Sequence, residues 1–315
     1  MLEKIEIHGL RHFEKYCVEA DGLTVFFGKN GTGKSSIVTA FRLLAAVAGR
    51  SLADWTEVFS NTGALFHFGP EETKEITLSV KRGRESYTAA LALDPKDASR
   101  LILRREKLIV ADHKDPTQFE TTEVKTCERE SIFGVPMDGK ESEVYPLMRE
   151  MNRWWIGSLL PSAIRSHEIN DTGRVLYPTG KNLEACLIYL AENYPDAFEK
   201  IRQALSEVEP EFIRFVVIKE GAEKSLRWES QKRPMLIPVQ YLSEGTLRLL
   251  CYAVLFVSED LPEVIVIDDI ETALDEDHIS ALMRLAADAG RRTNIILTTR
   301  SEAVAGYAGS ALRQI

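Results

Sequence analysis

Eight residues, GKNGTGKS from Gly28 to Ser35, combine three glycines with two lysines and a serine, and Ser36 follows. Glycines let a backbone fold back with its N–H groups turned inward, and those dipoles, with the start of a following helix, cradle phosphate oxygens. The spacing G-x-x-x-x-G-K-[ST] fits a nucleoside triphosphate, ATP or GTP. Gly28, Asn30, Gly31 and Gly33 shape the loop, Lys34 reaches the β and γ phosphates, and Ser35, backed by Ser36, ligates Mg2+. A second stretch, EVIVIDDIETALDED from Glu263, ends an apolar run in paired carboxylates. Asp268 stands where a carboxylate holds Mg2+, Asp269 is a candidate base or water-orienting group, and Glu271 is a second acidic candidate. Acids that only terminate a buried strand are the plain alternative. A third stretch, LSEGTLRLL at 242–250, places Ser243 and Gly245 at the head of an apolar run. An ordinary N-cap, with Glu244 in the first turn, would explain it alone.

These groups need elements to hold them. The phosphate loop follows the apolar strand LTVFF and opens a helix over about 34–48, and EVIVIDD has the four apolar residues of a fully buried parallel strand. Residues 75–93 alternate with period two around Arg-Gly-Arg, a hairpin, and more strand follows near 101–110. The polar run 111–140 reads as a loop, 141–207 as mainly helical, and 212–229 as a strand pair. Residues 236–315 then repeat strand, helix, strand, helix, strand. The expected fold is an α/β nucleotide core with a mixed sheet lobe, split by a helical insertion lobe. Its parts would be 1–110, 111–235 and 236–315. Trp154 and Trp155, placed on the insertion helix, should leave one ring off the main apolar face, a candidate partner contact, with partial burial against the lobe as the plainer explanation.

The 315 residues carry a net charge of -9, which argues against a general nucleic-acid binder. Nine of the 48 acids crowd into 258–278, however, so elsewhere the acids match the 39 Lys and Arg. Clusters such as Arg100, Arg104, Arg105 and Lys107, or Arg149 and Arg153, are either a basic patch or solvated faces. Cys17, Cys127, Cys186 and Cys251 lie too far apart for a zinc knuckle or disulfide framework, which suits a reducing cytosol. The longest apolar stretch, LLCYAVLFV, is half a membrane span. A soluble, cytoplasmic protein is expected.

The order of motifs is informative beyond each one. A phosphate loop, an insertion, LSEGTLRLL, a strand ending DD, TALD and the apolar strand NIILTT resembles the ATP-binding cassette (ABC) class over the first fifty and last eighty residues. The resemblance implies an ABC ATPase head, a P-loop NTPase, in which Ser243 and Gly245 form a second anion site at a helix N-terminus. That site would serve the ATP of a partner copy, giving a head-to-tail homodimer around two nucleotides, with Asp275 of TALD at the interface. LSEGTLRLLCYAVLF, IHGLRHFEKY and YPTGKNLEACL are similar to the predicted ATPases allied to RecF and the OLD-family nucleases. The resemblance implies an SMC-like head without coiled-coil arms or a Toprim domain, linked to DNA repair or phage defence.

Departures from the class pattern bear on hydrolysis. Asp269 replaces the usual glutamate, and TTRSE puts Arg300 at the switch-histidine position, where a fixed positive charge would hold a γ-phosphate. Gln118 is an unconvincing candidate for the class's Q-loop. His12 and Phe13 precede the second strand, where such proteins contact adenine and ribose; Phe13 as ordinary core is an equal alternative. Three functions follow: an ATPase controlling a separately encoded effector, a nuclease or toxin in a phage-defence system; a RecF-like repair ATPase clamping DNA; or an ATP-binding scaffold with little hydrolysis.

Overall fold

The computed structural model describes residues 1–59, 61–111, 118–135, 145–157, 159–166, 171–221, 223–232 and 235–315. The chain opens with strands β1 (Lys4–Leu10), β2 (Phe13–Glu19) and β3 (Leu23–Phe27), then helices α1 (Lys34–Ala48) and α2 (Leu52–Glu57). Strands β4 (Ile76–Arg82), β5 (Glu85–Asp94), β6 (Asp97–Ala111) and β7 (Phe119–Glu128) follow. Next come α3 (Pro146–Asn152), β8 (Trp155–Gly157), α4 (Pro161–Ile164), α5 (Leu183–Asn193) and α6 (Pro195–Val208). The remainder is β9 (Phe212–Glu220), β10 (Glu223–Ser230), β11 (Leu236–Pro238), α7 (Glu244–Val257), β12 (Val264–Ile267), α8 (Glu276–Ala289), β13 (Asn294–Thr299), α9 (Glu302–Ala308) and β14 (Leu312–Gln314).

Three sheets result. Five parallel strands in the order β14-β3-β13-β12-β8 form the nucleotide core, and β2-β1-β4-β5-β6-β7 form an antiparallel lobe. The third is the small antiparallel sheet β11-β10-β9. The core sheet is buried on both faces, which is why VIVI carries no polar residue. Val264 and Val266 join α1 and the lobe in one apolar cluster, while Ile265 and Ile267 pack with α5, α6, α7 and α8 in the other. Helix α1 is therefore clamped between the two large sheets. Among the described residues no helix is long and apolar enough to cross a membrane.

Two expectations are corrected. The polar run after 111 is not all loop, since β7 pairs with β6 along the lobe's edge; its exposed, charged pattern is that of a guarded edge strand. The rest of that run, 112–117 and 136–140, lies outside the described residues. The stretch 141–207 is mainly helical as expected, but the tryptophan pair is not on a helix: Trp155–Gly157 pairs in parallel with Ile265–Ile267 and extends the core sheet. On a strand, neighbours point to opposite faces. Trp154 packs on Phe41 in one cluster and Trp155 lies in the other, 7% and 3% exposed, so neither ring is left for a partner. The Trp155 indole donates to the Leu176 carbonyl at 2.8 Å.

Candidate functional site

Strand β3 delivers the loop. Gly28 N donates to the Thr299 carbonyl at 3.2 Å, stitching the loop's start to the end of β13. Gly33 has φ +111 and a Cβ there would lie 2.6 Å from Phe13 Cζ, so only glycine fits. Phe13 is thus a buried floor beneath the loop, stacked on Tyr16 with ring centroids 4.4 Å apart. Of the two readings of Phe13 the ordinary core is the one its position fits, since a ring pinned under Gly33 is not free to stack on a base. Helix α1 begins at Lys34 with no side-chain cap, which leaves its first amides for an anion. Lys34 is buried, and its Nζ donates to the carbonyls of Gly28 at 2.6 Å and Lys29 at 2.8 Å.

Above the loop is a cavity of about 580 Å3. Asn30, Gly31, Gly33, Lys34, Ser35 and Ser36 line it from one side, and Asp269 closes it from another. His12 also reaches it. Gly28 does not; it accommodates the chain instead, as a Cβ would meet the Ile315 carbonyl at 2.5 Å. Arg11 lies on the cavity wall beside His12 in a left-handed conformation, φ 48. Burial and the neighbouring Arg42 lower its pKa. Sequence reasoning passed over this arginine, although its place in IHGLRHF next to His12 was a usable signal.

The acids divide by geometry. Thr298 Oγ1 accepts from the amide of Asp269 at 2.9 Å, and Thr298 donates to Asp268 Oδ1. Among the described residues Asp268 Oδ2 carries no hydrogen bond. Asp269 has φ 46, a conformation that Asp tolerates, and this turn brings it to the cavity. Burial first, then the charges of Asp268 and Glu271, raise its carboxyl above the usual range. Glu271 is placed otherwise. Its carboxylate accepts from Thr299 Oγ1 at 2.7 Å and from the Arg300 amide at 3.0 Å, and it does not line the cavity. Arg300 is exposed, with Nε 3.9 Å from Glu271, and it does not line the cavity either. The structure thus brings Asp269 to the phosphate loop, and neither Glu271 nor Arg300.

Ser243 is the N-cap of α7 and accepts from the Thr246 amide at 3.1 Å. Gly245 faces the turn before α8, where a Cβ would lie 2.6 Å from the Ala273 carbonyl. Asp275 caps α8, accepting from His278 N at 3.0 Å and bonded to His278 Nδ1 at 2.6 Å; these bonds lower its pKa. None of Ser243, Gly245 and Asp275 lines the phosphate cavity of its own chain. Gln118 stands just before the edge strand β7 and is not brought to the cavity.

Three of the six residues in the basic clusters lie beside acids. Arg100 lies 3.2 Å from Asp97, Arg105 3.5 Å from Glu75, and Arg153 3.4 Å from Asp260.

Two family models match in succession. Residues 4–134 match one described as an AAA domain, and residues 160–305 match one described as "AAA domain, putative AbiEii toxin, Type IV TA system". No curated protein matches the chain. Among solved structures it is similar to an Smc head bound to the C-winged helix domain of ScpA, with TM-score 0.56 and 13% identity over 97% of this chain and 91% of that one. An SMC head from Thermotoga maritima (TM-score 0.41, 15% identity) and an Smc head with extended coiled coil from Pyrococcus furiosus (0.49, 12%) match over the same shares of the chains. The chain has the fold of an ABC-class, SMC-like P-loop ATPase head, with no coiled-coil arm among its described residues.

Proposed function

We propose that this protein binds Mg-ATP and dimerises head to tail around two nucleotides. The observation that carries this reading is that Ser243, Gly245 and Asp275 sit outside their own chain's phosphate cavity. A helix start built like an anion site but turned from its own nucleotide suits the nucleotide of a second copy.

In the loop, Lys34 exchanges its two carbonyl partners for β and γ phosphate oxygens, and the amides at the head of α1 bind the rest. Ser35 and Asp268 would hold Mg2+: the donor set is an exposed hydroxyl and a carboxylate with one oxygen unspent, both hard oxygens that suit the ion. When bound, the ion neutralises charge on the phosphates. Asp269, with its raised pKa, orients the attacking water and takes its proton, while Asp268 stays tied to Thr298. Glu271 and Arg300 lock the end of β13 and take no direct part. Arg11 adds positive charge at the phosphates, and His12 flanks the nucleotide.

The dimer controls a separately encoded effector in the cytoplasm, within a phage-defence or toxin–antitoxin system. The match over 160–305 to a model whose description names a toxin of a type IV system supports this setting over a DNA clamp. Ser243→Arg tests the assembly. It should leave ATP binding intact by equilibrium titration while abolishing ATP-dependent dimerisation and turnover, whereas Lys34→Ala should lose binding itself. Turnover that survives in Ser243→Arg would sink the in-trans site.

A further inference from the structure

A proton inventory at the head of α7 shows that Ser243 is turned the wrong way for a phosphate. Thr246 Oγ1 donates its only hydrogen to Glu209 Oε1 at 2.5 Å. Thr246 Oγ1 also lies 2.6 Å from Ser243 Oγ, and with its own hydrogen spent it can only accept there. The hydrogen in that contact therefore belongs to Ser243. Ser243 Oγ accepts from the Thr246 amide as well, so its hydroxyl hydrogen points inward and the side open to solvent is a lone pair. A lone pair repels phosphate oxygens.

We propose that Thr246 and Glu209 form a latch that holds inward the hydroxyl of Ser243, the serine of the LSEGT signature at the head of α7, and that dimerisation on ATP requires its release. This rests on the in-trans reading of Ser243 above. Glu209 follows the last turn of α6, so the helical layer, and not the signature helix alone, sets the direction of the hydroxyl. The same Glu209 Oε1 lies 3.6 Å from His278 Nε2, an atom buried with no hydrogen-bond partner, and His278 Nδ1 is bonded to Asp275. The latch therefore reaches from the signature to the turn that carries Asp275. Thr246 is 2% exposed, so bulk water does not substitute for it. Glu209 and Thr246 are positioning residues, acting only through Ser243.

The test is the dimer dissociation constant of the full chain, by sedimentation velocity with Mg2+ and a non-hydrolysable ATP analogue. Thr246→Val removes the acceptor at nearly constant volume and lets the Ser243 hydrogen turn outward. One neutral hydrogen bond is worth about three- to tenfold and a dimer holds two latches, so the constant should fall about tenfold or more. Thr246→Ser keeps the hydroxyl and should match wild type. A Thr246→Val protein that dimerises no more tightly than wild type overturns the latch. Denaturant stability gives a second readout that needs no dimer: Ser243→Ala and Thr246→Val should be non-additive, and additivity also overturns the latch. Wild type that stays monomeric with saturating analogue sinks the in-trans reading, and the latch's function with it. Wild type alone shows that outcome.

Discussion

Replacing Gly245 by alanine isolates the contact between the signature helix and the turn before α8. Gly245 is a helical residue without a positive φ, so its own backbone does not require glycine. Alanine is the better helix former by about 1 kcal/mol, and in open space the change would stabilise the protein by up to that amount. Here the new Cβ lies 2.6 Å from the Ala273 carbonyl oxygen, roughly 0.8 Å inside the shortest ordinary contact. The obstacle is backbone and cannot rotate away. Ala273 is already at φ +61, and the turn is closed by Thr272 N to Asp269 O and Leu274 N to Glu271 O, each 3.0 Å. Overpacking of this kind costs about 1–3 kcal/mol, which leaves a net destabilisation of about 0–2 kcal/mol after the helix gain. The functional loss should be larger. A shift of that size in the turn carrying Asp275 should weaken ATP-dependent dimerisation about tenfold or more, since errors near 1 Å in positioning groups cost up to about a hundredfold. Nucleotide binding by the isolated chain should change by less than about twofold, because Gly245 is not part of the cavity. Urea denaturation, equilibrium titration and sedimentation velocity measure the three quantities. A Gly245→Ala protein that is more stable than wild type and dimerises equally well would refute the reasoning.

Two further substitutions test the acids. Asp269→Asn should keep nucleotide binding and lower turnover about 10²- to 10⁴-fold, as expected for loss of a positioned base. Its stability has a definite sign: the pKa of Asp269 is raised, so the proton helps the fold at low pH, and that help is lost as pH rises through the raised value. Asp269→Asn should therefore melt higher than wild type at neutral pH, with the gap closing as pH falls toward about 4, and a gap independent of pH would contradict the assigned cause. Glu106 is fully buried and accepts from Tyr87 Oη, Ser131 Oγ and the Ile132 amide, joining the antiparallel lobe to the segment after β7. Glu106→Ala strands three donors and should cost about 3 kcal/mol or more by denaturant titration, whereas a loss under about 1 kcal/mol would show that water replaces the carboxylate.

What could be read in the sequence was chemistry concentrated in contiguous residues. Lys34 and Ser35 belong to one loop whose glycine spacing states the backbone path, and Asp268 and Asp269 follow a strand too apolar to be anything but buried. Strand β8 was not legible, because three residues show no period and two adjacent tryptophans look like either element until Trp155 starts the strand and Trp154, just before it, falls in the other apolar cluster. Glu271 and Asp269, two residues apart, looked like alternatives for one role; the left-handed turn at Asp269 is what sends one to the cavity and the other to Thr299. Glu209 was invisible for a different reason, since nothing local distinguishes a glutamate at the end of an amphipathic helix. Its meaning comes from tertiary contact across 37 positions, and only counting the hydrogens between Glu209, Thr246 and Ser243 shows which way the serine faces. A motif thus announces that an anion site exists, whereas whether the site is ready to bind depends on a residue that the motif does not contain.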